Sequence, residues 1–328
     1  MQLRPHTCKR LVAVILLLAC QLPAFCWGFY GHRKINFLST FLLPPEMIAF
    51  YKQHIDFISE HAVDPDKRRY AVLDEAPRHY IDIDHYGAYP YTELPRKWSE
   101  AVAKFGEDTL QTYGVVPWWI QIMQRRLTDA FKARNQVMIL KLSAEIGHYI
   151  SDAHVPLHAC HNHNGQFSNQ NGIHAFWESR IPELFAENQY DFMIGKAAYI
   201  PNVGNFIWDR VLESAAAADT VLRMEANLTR QFSPDQKYAY EERLGKITRQ
   251  YSTAFSAAYQ QALNGMIERR MRQSIFATAS FWYTAWVDAG QPDLKALTNT
   301  KLTPEDLAEY EKLNAQWLGG KAMGKICD

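Results

Sequence analysis

The stretch GHYISDAHVPLH, from Gly147 to His158, constrains this chain more than any other. It continues a run in which Val137, Ile139, Leu140, Leu142, Ile146 and Ile150 recur at helical spacing, the signature of an amphipathic helix. The pattern predicts a helix over 134–154. On such a helix His148 and Asp152 stand four residues apart, so their side chains rise from one face. Pro156 has no amide hydrogen for an inner turn, so the helix must stop or kink there and His158 comes back from the turn. An imidazole and a carboxylate on one face, with a further donor folded toward them, suit a metal ion. A single His-xxx-Asp pair is common and says little; the weight lies in what accompanies it.

More donors follow. HAFWE repeats the i, i+4 spacing with His174 and Glu178. Upstream, APRHYIDID supplies His79, and HAVDPDKRR supplies Asp64 and Asp66. WGFYGH supplies His32 and Trp27. A free α-amine and its carbonyl oxygen can chelate a metal, but Trp27 offers both only if the chain is cut immediately before it. Taken singly, His54, His61, His85, His154, His161 and His163 read as solvent-facing histidines or as partners of ligands.

The N-terminus predicts such a cut. Arg4, Lys9 and Arg10 precede the apolar run LVAVILLLAC, and Ala24 and Cys26 form a small-residue site. These are the parts of a secretory signal peptide over residues 1–26, leaving one domain over 27–328 that is secreted or periplasmic. The apolar run is too short for a membrane span, which needs about 20 residues. A lipoprotein site at Cys20 fits less well because Leu18 is bulky. Removing the leader takes three of the 35 basic residues and none of the 35 acidic ones, so the mature chain carries a formal charge of −3. That charge gives no general electrostatic footprint for nucleic acid. Of the five cysteines, Cys160 and Cys327 would remain, and their pairing is left open by the sequence.

Glycine and proline cluster around 87–95 and 162–172, which read as loops. Most of the remainder reads helical, including long stretches over 236–290. Thr303, Pro304 and Asp306 form a helix start with a capping-box arrangement, and Gly319 is a reasonable stop. Strand-like alternation is scarce. The expectation is a single all-α, multi-helix domain with long irregular loops, no transmembrane segment after cleavage and no obligate protein partner.

Read in order, WGxxGH, an acid, HYxD, HYxxDxxxPxH and HxxxE resemble the superfamily of zinc-dependent phospholipases C and S1/P1 nucleases. The aromatic FWYTAW at 281–286 is similar to that family's final helix. The resemblance covers most of the mature chain. It implies an all-α fold of the phospholipase C/P1 nuclease type holding three zinc ions. By position, Asp152 would bridge two close zincs, with His79, His148 and Asp64 at the first and the Trp27 amine and carbonyl with His32 at the second. His158, His174 and Glu178 would hold the third. Asp66, two residues from Asp64, could take its place.

The implied activity is hydrolysis of a phosphodiester by water that zinc acidifies, with Asp64 as the catalytic acid–base beside the pair. Glu178 and the short loop between His158 and His174 resemble the phospholipase branch. Pro65 and Ala76 stand where that branch has its choline-binding aromatics, and the tight WGxxGH resembles the nucleases. Tyr80 and Asp82 fall where the nucleases stack and hydrogen-bond a base of single-stranded DNA or RNA. A packing aromatic and a carboxylate supporting a ligand would look the same. The reading leans to a phospholipase-C-like phosphodiesterase, with an S1/P1-type nuclease as the alternative. A zinc-binding exported protein without turnover is the third reading; structural zinc sites are usually closed by four protein ligands.

Overall fold

The computed structural model describes residues 28–243, 246–297, 303–320 and 322–323. The expected signal peptide, Cys20, Trp27 and Cys327 lie outside the described residues. The helices are α1 (Gly28–Ser39), α2 (Pro45–Gln53), α3 (Ile55–Glu60), α4 (Asp64–Arg68), α5 (Trp98–Phe105), α6 (Glu107–Tyr113), α7 (Val116–Lys132), α8 (Gln136–Asp152), α9 (Ile173–Ala175), α10 (Ile181–Gln189), α11 (Val203–Thr229), α12 (Pro234–Lys237), α13 (Thr253–Ala262), α14 (Met266–Asp288) and α15 (Pro304–Gly319). The architecture is mostly helical, as the sequence predicts. No described helix is long and apolar enough to cross a membrane.

The core is built around α8. Asn135 caps its first turn by accepting from the Met138 amide at 3.1 Å, which satisfies one of the donors a helix start leaves open. Every residue from Leu142 to Asp152 is buried, so α8 is covered on all faces by α1, α7 and α14. Trp282 of α14 stacks on Tyr51 at 4.9 Å and donates from its indole nitrogen to the Ser143 carbonyl at 3.0 Å. The helix ends where predicted. Val155 is extended (φ −80, ψ 120), the conformation a residue before proline favours, and Pro156 opens a short turn that carries His158.

Two departures from the expected layout are local. Residues 238–243 and 246–251, read as part of a helical stretch, form an antiparallel pair of strands, β1 (Tyr238–Arg243) and β2 (Lys246–Tyr251), with Tyr240 opposite Arg249 and Glu242 opposite Ile247. Those side chains are exposed while Glu241, Thr248 and Gln250 are part-buried, an alternation of period two that overrides helix propensity. The aromatic segment 281–286 lies in α14, but α15 follows it. As expected, Thr303 and Asp306 form a reciprocal capping box at the start of α15. From there α15 runs over α4: Tyr310 packs on His61 at 4.0 Å, Trp317 on Phe29 at 5.4 Å, and the Met323 amide donates to the Arg69 carbonyl at 2.8 Å.

Candidate metal centre

α1 and α8 approach closely because Gly147 presents no side chain. Asn36 fills that space and donates to the carbonyls of Ile58 (3.1 Å) and Ala144 (3.0 Å). One turn away along α1 lies His32, and beside Gly147 lies His148; their rings stack at 3.8 Å. His79 arrives from the 3-10 turn Leu73–His79. Its Nδ1 lies 3.0 Å from His148 Nε2 and 3.0 Å from Asp152 Oδ2. His148 Nε2 is 3.3 Å from the same oxygen. The other oxygen of Asp152, Oδ1, is 3.5 Å from His32 Nε2. Asp152 thus turns one oxygen to His79 and His148 and the other to His32. Asp66 adds a carboxylate 3.7 Å from His148 Nε2 and 3.8 Å from His79 Nδ1.

A second cluster stands next to the first. His174 Nε2 is 3.0 Å from His158 Nε2 and 3.1 Å from Glu178 Oε2, and His158 Nε2 is 3.5 Å from Glu178 Oε2. His174 lies in the middle of the short helix α9, which continues into a turn of π-helix, Phe176–Arg180, carrying Glu178. The clusters are joined through one residue: the His79 carbonyl accepts from His158 Nδ1 at 2.6 Å. Gly28 (φ +46) packs against Ser179, so the start of α1 adjoins the turn bearing Glu178.

Four of the rings are pinned by the nitrogen that faces away from the clusters. His148 Nδ1 donates to the Ala62 carbonyl (2.8 Å), His158 Nδ1 to that of His79, and His174 Nδ1 to that of His163 (3.2 Å). Ser151 Oγ gives its hydrogen to the His148 carbonyl at 2.7 Å, so it accepts from His32 Nδ1 at 2.8 Å. Each pairing turns an Nε2 inward, the nitrogen by which a neutral imidazole binds metal.

The electrostatics are those of acids and imidazoles buried together. Burial opposes charging of His148, but the Asp152 and Asp66 carboxylates prevail and push it up to about 9. Burial lowers His32 well below the usual histidine range, and the neighbouring His148 lowers it further. For Asp66 burial dominates and raises its carboxyl despite the nearby histidines. Asp152 is also buried, yet the charges of His148 and His158 hold it well below the usual carboxylate range.

The donor set fits zinc. Both oxygens of Asp66, Asp152 Oδ1 and His32 Nε2 are buried without a hydrogen-bond partner, and an uncompensated buried carboxylate is costly. Tetrahedral zinc with bonds of about 2.0–2.1 Å places its ligand atoms about 3.3 Å apart, within the range spanned by the contacts above. Three groupings have the required proximity: His79, His148 and Asp152; His32, Asp66 and His148; and His158, His174 and Glu178.

Three expected site residues are placed as follows. Asp64 does not face the clusters; its carboxylate is held by His61 Nδ1 at 2.6 Å and Lys67 at 3.1 Å. Asp66 stands there instead, because residues two apart on a helix point to opposite sides. Tyr80 presents no open ring: it is 6 % exposed, donates to the Thr112 carbonyl at 3.2 Å and lies under Gly114. Asp82 is buried as well, 3.3 Å from His161 Nδ1. Sequence reasoning missed Ser151 and Glu75. Glu75 precedes His79 by four residues, the same spacing that marked the ligand pairs. Trp27 lies outside the described residues, and Cys160 is buried. No family model matches the chain, and a search of curated proteins finds no match.

Proposed function

We propose that the chain is an exported, zinc-dependent phosphoric ester hydrolase with the fold of the phospholipase C/S1-P1 nuclease superfamily, acting on phospholipid headgroup esters. The observation that carries the reading is the pair of buried clusters joined by His79, one of them sharing Asp152 between two sets of histidines. His79, His148, Asp152, Asp66 and His32 would hold two ions, and His158, His174 and Glu178 a third. Zinc bound there supplies Lewis acidity toward water and toward phosphoryl oxygens. The chain's own residues fix the rings, exclude bulk water and keep Asp66 and Asp152 from other partners. In the phospholipase reading Asp66, rather than Asp64, is the carboxylate placed to orient water or take its proton. A purely structural zinc role is less well supported, since carboxylate oxygens without protein partners leave room for other ligands.

The nuclease alternative draws on the tight WGxxGH spacing and on Tyr80 and Asp82; the phospholipase reading is favoured because Tyr80, 6 % exposed, offers a base little ring face. The deciding measurement is hydrolysis by the signal-cleaved, zinc-loaded protein with metal content determined on the same sample. Mixed phospholipid vesicles, single-stranded DNA and RNA, and bis-p-nitrophenyl phosphate would be compared. Release of diacylglycerol with about three bound zincs is expected. Release of 5′-nucleotides alone would transfer the proposal to the nucleases, and zinc without turnover of any substrate would refute hydrolase function.

A further inference from the structure

We infer that Glu75 is a positioning residue that selects which nitrogen of His79 faces the metal; the inference rests on the zinc-centre reading above. His79 departs from the pattern of the other rings. Its Nδ1 points into the centre, toward His148 Nε2 and Asp152 Oδ2 at 3.0 Å each. Its Nε2 points away and lies 3.5 Å from Glu75 Oε1. Nδ1 is the ring nitrogen nearer the backbone, so its use draws the His79 main chain toward the centre. From there the His79 carbonyl accepts from His158 Nδ1 at 2.6 Å. If Nε2 were turned inward instead, the main chain would have to retreat and that contact would be strained.

Glu75 can impose the choice because an ionised carboxylate only accepts. Across the 3.5 Å contact it favours hydrogen on His79 Nε2, which otherwise has no hydrogen-bond partner, and thereby leaves the Nδ1 lone pair for the ion. The carboxylate is itself held rigidly. Arg78 donates to Oε2 at 2.7 Å, the Tyr149 hydroxyl donates to Oε1, and Arg68 approaches Oε1 at 3.6 Å. Arg68 is anchored in turn by Glu145. Glu75 is fully buried, so a merely structural reading would make it a member of this arginine network and nothing more. That reading predicts a loss of stability but no change at the His79 ring.

The two are separated by Glu75→Gln, Glu75→Leu and Arg78→Ala. Zinc is titrated into chelator-stripped protein, and the histidine rings of the zinc-loaded protein are read by long-range ¹H–¹⁵N NMR. The wild type should show Nε2–H on His79 and Nδ1–H on the other four ligand rings. A glutamine can offer either an acceptor or a donor, so Glu75→Gln should weaken zinc binding about 10- to 100-fold and weaken or split the His79 Nε2–H signal. Arg78→Ala should lower the melting temperature yet leave the His79 tautomer unchanged. Zinc affinity of Glu75→Gln within about twofold of wild type, or an unaltered His79 signal, would overturn the inference. Should the leucine variant not fold, the glutamine variant, which preserves volume, carries the test. Wild-type protein that binds no zinc overturns both this inference and the centre. Zinc binding with the expected tautomers but no ester hydrolysis removes only the hydrolase proposal.

Discussion

Asn36 occupies the space that the missing side chain of Gly147 leaves, and through that contact α1 lies close enough to α8 for His32 to stack on His148. A Cβ at Gly147 would overlap the Asn36 side-chain carbonyl oxygen and come within 3.0 Å of Thr278 Cγ2. Both neighbours are buried, so neither can step aside into solvent.

Gly147→Ala should therefore be destabilising, against the usual gain from alanine in a helix. Overpacking of this kind costs about 1–3 kcal/mol. The variant should also bind less zinc, because separating α1 from α8 pulls His32 from the shared carboxylate. Thermal melting and metal analysis of one sample check both parts; a variant as stable as wild type would refute the packing argument.

The two aspartates of DPD make opposite predictions. Asp66→Asn should lower metal content by about one ion and reduce hydrolysis on the order of a hundredfold or more. Asp64→Asn should leave the metal content unchanged and lower stability modestly, because it disturbs only the pairing with His61 and Lys67. Metal analysis and steady-state rates on both variants decide the matter, and the reverse result would restore Asp64 to the centre.

Much of this was legible in the sequence. Helical spacing alone located α8 and its proline stop, and both i, i+4 pairs, His148 with Asp152 and His174 with Glu178, do converge. The selection between Asp64 and Asp66 was not legible, because it depends on how a five-residue helix is rotated beneath α15. Tyr80 could not be assigned to the interior either: what buries it is the backbone at Gly114 (φ +92), which passes over the ring. The strand pair escaped because Tyr, Glu, Arg and Gln suit a solvated helix as well as a strand, and only tertiary packing separates the two.

Metal removal should loosen the molecule. Chelation leaves Asp66 and Asp152 buried with only the charged His148 and His79 rings to offset them, so zinc in excess should raise the melting temperature. At a thousandfold excess over its dissociation constant, one bound ion contributes about 4 kcal/mol. A melting temperature indifferent to chelator and zinc would contradict the assignment of these carboxylates.

The metal-free protein should lose stability as pH rises from about 6.5 to about 9. His148 has a folded pKa of about 9, above the unfolded value of about 6.5. Its protonated pairing with Asp152 and Asp66 therefore stabilises fully below about 6.5 and is lost through the folded pKa. His79, also raised, acts in the same direction. Below about 6.5, the buried His32, shifted down, opposes folding because it resists the proton. Zinc must displace the His148 proton, so binding near pH 8 should release protons, read by calorimetry in buffers of different ionisation enthalpy. Proton-free binding at that pH would be incompatible with a charged His148.

The helix α15, drawn across α4 by Tyr310 and Trp317, bears on how the molecule comes into being. The short segment that orients Asp66 obtains its outer cover from the far end of the described chain. During vectorial synthesis the early segments emerge first, so His32, Asp66 and His79 exist for some time with that cover still to be made. Assembly of the candidate centre is thereby placed late, after the chain has been made nearly whole.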